Sequence, residues 1–382
     1  MIMTSKERMR AAIEGKKPDR LPVTTHHLMP YFLDVYMDGI SELEFFEHYG
    51  MDAYVWTVPY RSESGQAWLD EHGYPVTDQW RYESEQVLDQ EYATTRWRII
   101  TPKGELTTYL QSNRHTSWLG EHFIKEKSDI DLLAEYMPAP TADLEVINKA
   151  ADELGDRGLV RGHICCFDIF GQPGCWQDAA CIVGIENLIL ATFDDPEWVH
   201  TLLGILQRRK IHYIRSLQGA RYGIVELGGG DASTTVISPK IFNEFVAPYD
   251  QKLIQLAHEA GQKIVYHTCG GMMPILEDIA DMGTDAMETF TPPEMGGDVD
   301  LAEAKQRIGD RVCMIGGFDQ FHHLTKCTEA ETRAAVDRGF EAAGAGGGFI
   351  LSPSDHFFDA DVNLIAAFAD QARQCTYDTV SP

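Results

Sequence analysis

The sequence predicts an α/β protein, a (β/α)8 barrel with a β-rich insertion after its second strand. Three observations predict it. Short apolar runs alternate with helical patterns along most of the chain. Eight such runs can be counted, near residues 23, 55, 161, 225, 265, 287, 314 and 350. Residues of metal-ligand and acid–base type stand just after several of these runs, where a barrel of this kind keeps its active site. An open doubly wound sheet is the rival architecture. No glycine-rich dinucleotide fingerprint supports it: Gly228-Gly229-Gly230 lacks the spacing, and 344–348 precedes a strand rather than following one.

The elements follow in order. Thr4-Ser5-Lys6-Glu7 fits a capping box and opens a helix that stops at Gly15. Strands are expected at 21–25 and 53–57, with a helix over 40–49 between them. From about 64 to 117 the pattern turns β-rich, and 94–101 and 105–110, joined by Pro102-Lys103-Gly104, read as a hairpin. This block is taken as an insertion into a single domain spanning 1–382. Helices then read over 130–136, 142–154, 181–191 and 196–218, with a strand at 158–164. Ser238-Pro239 caps a long helix to about Glu259. Strands at 224–227, 264–266, 285–289, 312–315 and 349–351 alternate with helices that include 272–280, 329–343 and 362–373.

Composition narrows the function. The chain has 382 residues, 44% of them hydrophobic, enough for a large packed core. It carries 59 acidic against 32 basic residues, a net charge of −27, which repels nucleic acid and anionic membranes. No apolar run reaches membrane-spanning length, and the polar start lacks the apolar core of a signal peptide, so a cytoplasmic location is expected. Eight scattered cysteines argue thiols or metal ligands rather than a disulfide framework.

The strand ends carry the chemistry. His267 and Cys269 stand two apart at the end of a strand and project to the same side, an arrangement that suits zinc. Glu226 ends the fourth strand and is a candidate metal ligand, or only a cap of the turn that follows. Glu288 ends the sixth, and Asp355 and His356 follow the eighth; these three are candidate acid–base residues. Asp231 reads as either a site residue or a turn cap. His322 and His323 are expected at the solvated surface. Cys165 and Cys166 are expected in packing, and Cys175, Cys181, Cys313, Cys327 and Cys375 in packing or at the surface.

Several stretches together resemble the uroporphyrinogen decarboxylase superfamily. They are Ser5-Lys6-Glu7-Arg8 through Pro18-Asp19-Arg20-Leu21-Pro22-Val23, Asp194-Asp195-Pro196-Glu197, the run 266–283, Gly316-Gly317-Phe318-Asp319, and 346–352. The resemblance implies the barrel fold and two chemistries. True decarboxylases carry an early arginine-rich stretch that grips substrate carboxylates; here 22–31 contains no arginine. The cobalamin-dependent methyltransferases carry His-x-Cys-Gly at this strand end, as His267-Thr268-Cys269-Gly270 does, and a later Cys that is here replaced by Ser354-Asp355-His356, so the resemblance implies that Asp355 or His356 would stand in for that third ligand. The resemblance therefore implies a methyltransferase that holds zinc and works with a corrinoid supplied by a separate partner protein. It would move a methyl group between that corrinoid and a small-molecule donor or thiol acceptor. A metal-free decarboxylase-like lyase using Asp355, His356 and Glu288 is the alternative, and a non-catalytic binding protein on the same barrel a third reading.

Overall fold

The computed structural model describes residues 2–61, 67–164, 169 and 171–377. Its centre is a curled parallel sheet of seven strands: β1 (Ala53–Trp56), β2 (Gly158–His163), β3 (Ile224–Gly228), β4 (Ile264–His267), β5 (Ala286–Thr289), β6 (Cys313–Phe318) and β7 (Phe349–Pro353). Their order in the sheet is their order in the chain. A doubly wound sheet needs a reversal of strand order, so that rival is excluded. The expected strand at 21–25 is reduced to one bridge, Val23 to Leu351. Leu351 N–H donates to Pro22 O at 2.9 Å, Thr24 N–H to Leu351 O at 3.0 Å, and Asp52 N–H to Val23 O at 2.7 Å. This segment is therefore bonded to β7 on one side and to the residue before β1 on the other. Pro22 has no N–H to give a longer ladder.

The helices follow the sequence signals closely. Ser5–Ile13 starts with the Thr4/Glu7 capping box, and Ile130–Tyr136 and Glu329–Ala343 keep the expected ends. Two expectations change. The helix read at 181–191 is two helices, Cys175–Val183 and Ile185–Asp194, broken at Gly184, whose φ of 89° no right-handed helix holds. The long helix after Ser238 contains a π-helical turn over Phe242–Val246, just before Pro248. Proline cannot donate into the helical ladder, and the wider turn absorbs the misfit. Between β1 and β2 the chain forms an antiparallel sheet of Arg81–Val87, Ala93–Thr101, Gly104–Ser112 and Ser117–Leu119. Among the described residues, no helix is long and apolar enough to cross a membrane.

Strand alternation sorts side chains into two cores. One lies between sheet and helices and includes Val225, Leu227, Tyr266, Met287 and Met314. The other fills the inside of the sheet with Tyr54, Leu159, Ile224, Val265, Ala286, Cys313, Ile315 and Ile350, plugged from below by Met9, Ala12 and Ile13 of the first helix. The residue two further along each strand faces the same interior, one layer higher. On β2, β3, β4 and β5 those residues are Arg161, Glu226, His267 and Glu288. An apolar plug thus carries a polar layer on top, which is where the chemistry starts.

Candidate active site

Arg161 is the hub of that layer and is fully buried. Its guanidinium pairs with both Glu226 and Glu288; Nη1 donates to Glu288 Oε2 at 3.0 Å, and Nη2 bonds a carboxylate oxygen of each. Its cationic face lies over the rings of Trp56 and Tyr54, 4.4 and 5.4 Å from the centroids. An unpaired charge at this depth would cost several kcal/mol, so the three residues must be read as one ionic unit. Burial would raise the Glu226 carboxyl, but His163, Arg161 and His267 bring it down to about 2. Glu288 is held well below the usual range, because Arg161 and His26 outweigh its burial. Both are therefore ionised throughout the neutral range.

His267 joins this unit to Cys269. Its Nδ1 donates to Glu288 Oε1 at 3.0 Å, and its Nε2 lies 3.5 Å from Cys269 Sγ. With Nδ1 committed to Glu288, Nε2 is the ring nitrogen that faces the thiol, and it must give up its proton before it can ligate an ion. Burial would lower the His267 pKa, yet Cys269 and Glu226 raise it well above the usual value. The turn that carries Cys269 is pinned on both sides. Thr268 N–H donates to Glu288 O at 2.9 Å, Gly270 N–H to Thr291 Oγ1 at 3.1 Å, and Gly271 N–H to Thr235 Oγ1 at 2.7 Å. Gly230 makes room for the sulfur: a Cβ there would stand 2.9 Å from Cys269 Sγ. Gly228 has φ 103°, and a Cβ on it would lie 2.4 Å from His267 O.

Three histidines that the sequence reading left aside complete the layer. His26 stacks on His267 with centroids 4.7 Å apart, and its Nδ1 lies 3.4 Å from Glu288 Oε1. His27 and His163 flank Trp56, and burial lowers both to about 4. The ligand atoms of His26, Glu226, His267 and Glu288 all lie within 4.8 Å of one another. Arg161 already supplies the cation between the two glutamates, so a metal ion in their midst would meet a positive charge. The Nε2 side of His267 is different. Zinc bonded to nitrogen at about 2.0–2.1 Å and to sulfur at about 2.3 Å with a tetrahedral angle holds the two donors roughly 3.5 Å apart. That is the separation of His267 Nε2 and Cys269 Sγ. The donor pair fits zinc, with Glu288 in the orienting place behind the histidine.

The other expected residues are distributed around this centre. Glu226 is in it, with Oε2 committed to Arg161. Asp355 and His356 pair with each other, Nδ1 to Oδ1 at 2.8 Å, in the loop after β7. Burial would raise Asp355, but His356 holds it below the usual value. Asp231 accepts from Gln177 Nε2 at 2.9 Å beside the turn after β3. Cys165 and Cys166 lie outside the described residues. Cys175, Cys313 and Cys375 are buried and in no disulfide, as packing requires. His322 is exposed, whereas His323 and Cys327 are half-buried and in contact.

A profile of the family "Uroporphyrinogen decarboxylase (URO-D)" matches residues 121–375. The uroporphyrinogen decarboxylase of Psychromonas ingrahamii is 28% identical over 59% of this chain and 62% of its own length. The chain thus spans less than two thirds of that relative. The methylcobamide:CoM methyltransferase MtaA of Methanosarcina barkeri is 24% identical over 90% of this chain and 92% of its own. The methylated-thiol–coenzyme M methyltransferase of Methanosarcina mazei is 27% identical over 53% of each chain. Among solved structures, a methyltransferase from Methanosarcina mazei has the same fold, with TM-score 0.63 and 17% identity over 97% of this chain and 99% of that one. With two thirds of its length under one profile and relatives of both chemistries, the chain belongs to the uroporphyrinogen decarboxylase (URO-D) family.

Proposed function

We propose that the chain is a methyltransferase that moves a methyl group between a corrinoid on a separate protein and a small-molecule donor or thiol acceptor. We read its sheet, with the 22–24 segment, as a (β/α)8 barrel, and the antiparallel sheet over 81–119 as an insertion into it. The observation that carries the reading is the 3.5 Å pairing of His267 Nε2 with Cys269 Sγ, with Nδ1 fixed by Glu288. A relative that spans nearly the whole chain is named a methylcobamide:CoM methyltransferase, which agrees with it.

His267 and Cys269 would hold zinc on the side away from Arg161, with the Glu226 oxygen that Arg161 does not hold as the third protein ligand. Bound zinc would supply Lewis acidity, lowering the pKa of a thiol or loading a leaving heteroatom. The rest falls to the chain's own groups. Arg161 keeps Glu288 ionised, and Glu288 keeps the proton of His267 on Nδ1. The Asp355–His356 pair takes the proton that an acceptor thiol must give up when its sulfur forms a bond to carbon. Glu288, held ionised by Arg161, is a poor proton donor, which weighs against the metal-free lyase that would need it as an acid. Metal analysis combined with demethylation of methylcobalamin by a thiol tests the proposal. A His267→Ala, Cys269→Ser variant is expected to lose both the ion at this site and the turnover. Full activity in that variant would refute the reading.

A further inference from the structure

The second group of ligand-type side chains stands outside the site just described. The ligand atoms of His322, His323 and Cys327 all lie within 4.8 Å of one another. His323 Nδ1 is 3.2 Å from Cys327 Sγ, and the two histidine rings are 5.0 Å apart at 72°. We propose that His322, His323 and Cys327 form a second metal site, for one zinc-class divalent ion, at the rim of the sheet beyond β6.

Four observations carry this. The donors are two imidazoles and a thiol, the set that borderline ions such as zinc take in preference to magnesium or calcium. The nitrogen–sulfur distance is close to the roughly 3.5 Å that tetrahedral zinc imposes. A thiol–imidazole hydrogen bond alone would explain two of the residues and leave His322 unaccounted for. The backbone that carries the donors is already fixed. Asp319 caps the short helix Gln320–His323, Lys326 N–H donates to His322 O at 3.0 Å, and Thr332 Oγ1 donates to His323 O at 2.7 Å. His322 and His323 also border a cavity of about 660 Å³, so an ion has an entry path and room for a water or other fourth ligand.

The site has a reason to be there. Gln320, on the same short helix, accepts from Ser354 N–H at 3.1 Å and donates to His356 O at 3.4 Å. An ion on His322, His323 and Cys327 pins the helix whose first residue holds the Asp355–His356 loop. Its role is structural, at one remove from the reacting groups.

Cobalt(II) is the probe, because a bound thiolate gives it a charge-transfer absorption. In a His267→Ala, Cys269→Ser background, one equivalent of cobalt is expected to produce that band. The band should vanish when Cys327→Ser is added and survive Cys313→Ser. Zinc should raise the melting temperature of the background and leave the Cys327→Ser version unmoved. Wild-type chain gives an independent reading by zinc content, with two equivalents falling to one in Cys327→Ser. If the His267 site fails instead, wild type binds one equivalent and Cys327→Ser none, which refutes the functional reading and leaves this one standing. No cobalt–thiolate band in the background, or the same zinc content with and without Cys327, overturns the second site.

Discussion

Glu288 stands between Arg161 and His267, and the two contacts ask different things of it. Arg161 needs its charge, while His267 needs only an acceptor oxygen for Nδ1–H. Glu288→Gln keeps an acceptor and removes the charge. The expected result is a zinc affinity lower by about 10–100-fold, the usual cost of changing an orienting partner behind a metal-bound histidine. Competition with a chromophoric chelator measures this, and unchanged affinity would remove Glu288 from the site's support. Arg161 shows what a sequence hides at this scale. An arginine in a strand ordinarily reads as solvent-facing, and its partners lie 65 and 127 residues away. One signal was present. Arg161, Glu226, His267 and Glu288 each stand two residues after an inward apolar residue on adjacent strands, and alternation alone aligns them. His26 had no such signal, since it follows a segment that makes a single bridge.

The strands from β3 to β7 were legible because each is a short apolar run ending in glycine or a polar residue. The helix breaks were less so, because Gly184 and Pro248 act on geometry while leaving the apolar period intact. One helix–strand contact has a measurable consequence. Helix Ala247–Glu259 packs on β4, where Tyr266 Oη donates to Asp250 Oδ2 at 3.0 Å. Burial pushes Asp250 up from 3.8 to about 7, although Tyr266 and Lys210 pull the other way. The folded chain therefore holds a proton there that the unfolded chain releases near pH 4. Stability from the neutral form is complete below about pH 4 and is lost as pH rises through about 7. Glu226 works in the opposite sense, and its contribution is lost only as pH falls toward about 2. Asp250→Asn stays neutral and can still accept from Tyr266. Between pH 5 and 8, urea unfolding of the wild type is expected to show a decline in stability that Asp250→Asn lacks. Parallel curves for the two proteins would show that Asp250 titrates as an ordinary carboxylate.

At the scale of the whole molecule the question is what a chain with net charge −27 can admit to its mouth. A porphyrinogen with several carboxylates needs cations to meet it, and arginine is the residue that pairs with carboxylates two bonds at a time. The early segment 22–31 offers His26 and His27 and no arginine. The buried arginine of the site, Arg161, has no exposed surface and already bridges Glu226 and Glu288. Freeing it for a substrate would leave two carboxylates unpaired in the interior, which costs about 3–5 kcal/mol for a broken buried pair. The polar layer thus presents a histidine-rich surface with no cation left over for a carboxylate, suited to a metal ion and a neutral or thiol substrate. No decarboxylation of uroporphyrinogen is expected, although decarboxylases are among the relatives. The measurement is product formation from that substrate under reducing conditions, with an authentic decarboxylase as the positive control. Turnover above background would mean that the mouth recruits cations from elsewhere on the rim. Arg114, over the Tyr31 ring at 5.1 Å, would then be the first residue to replace.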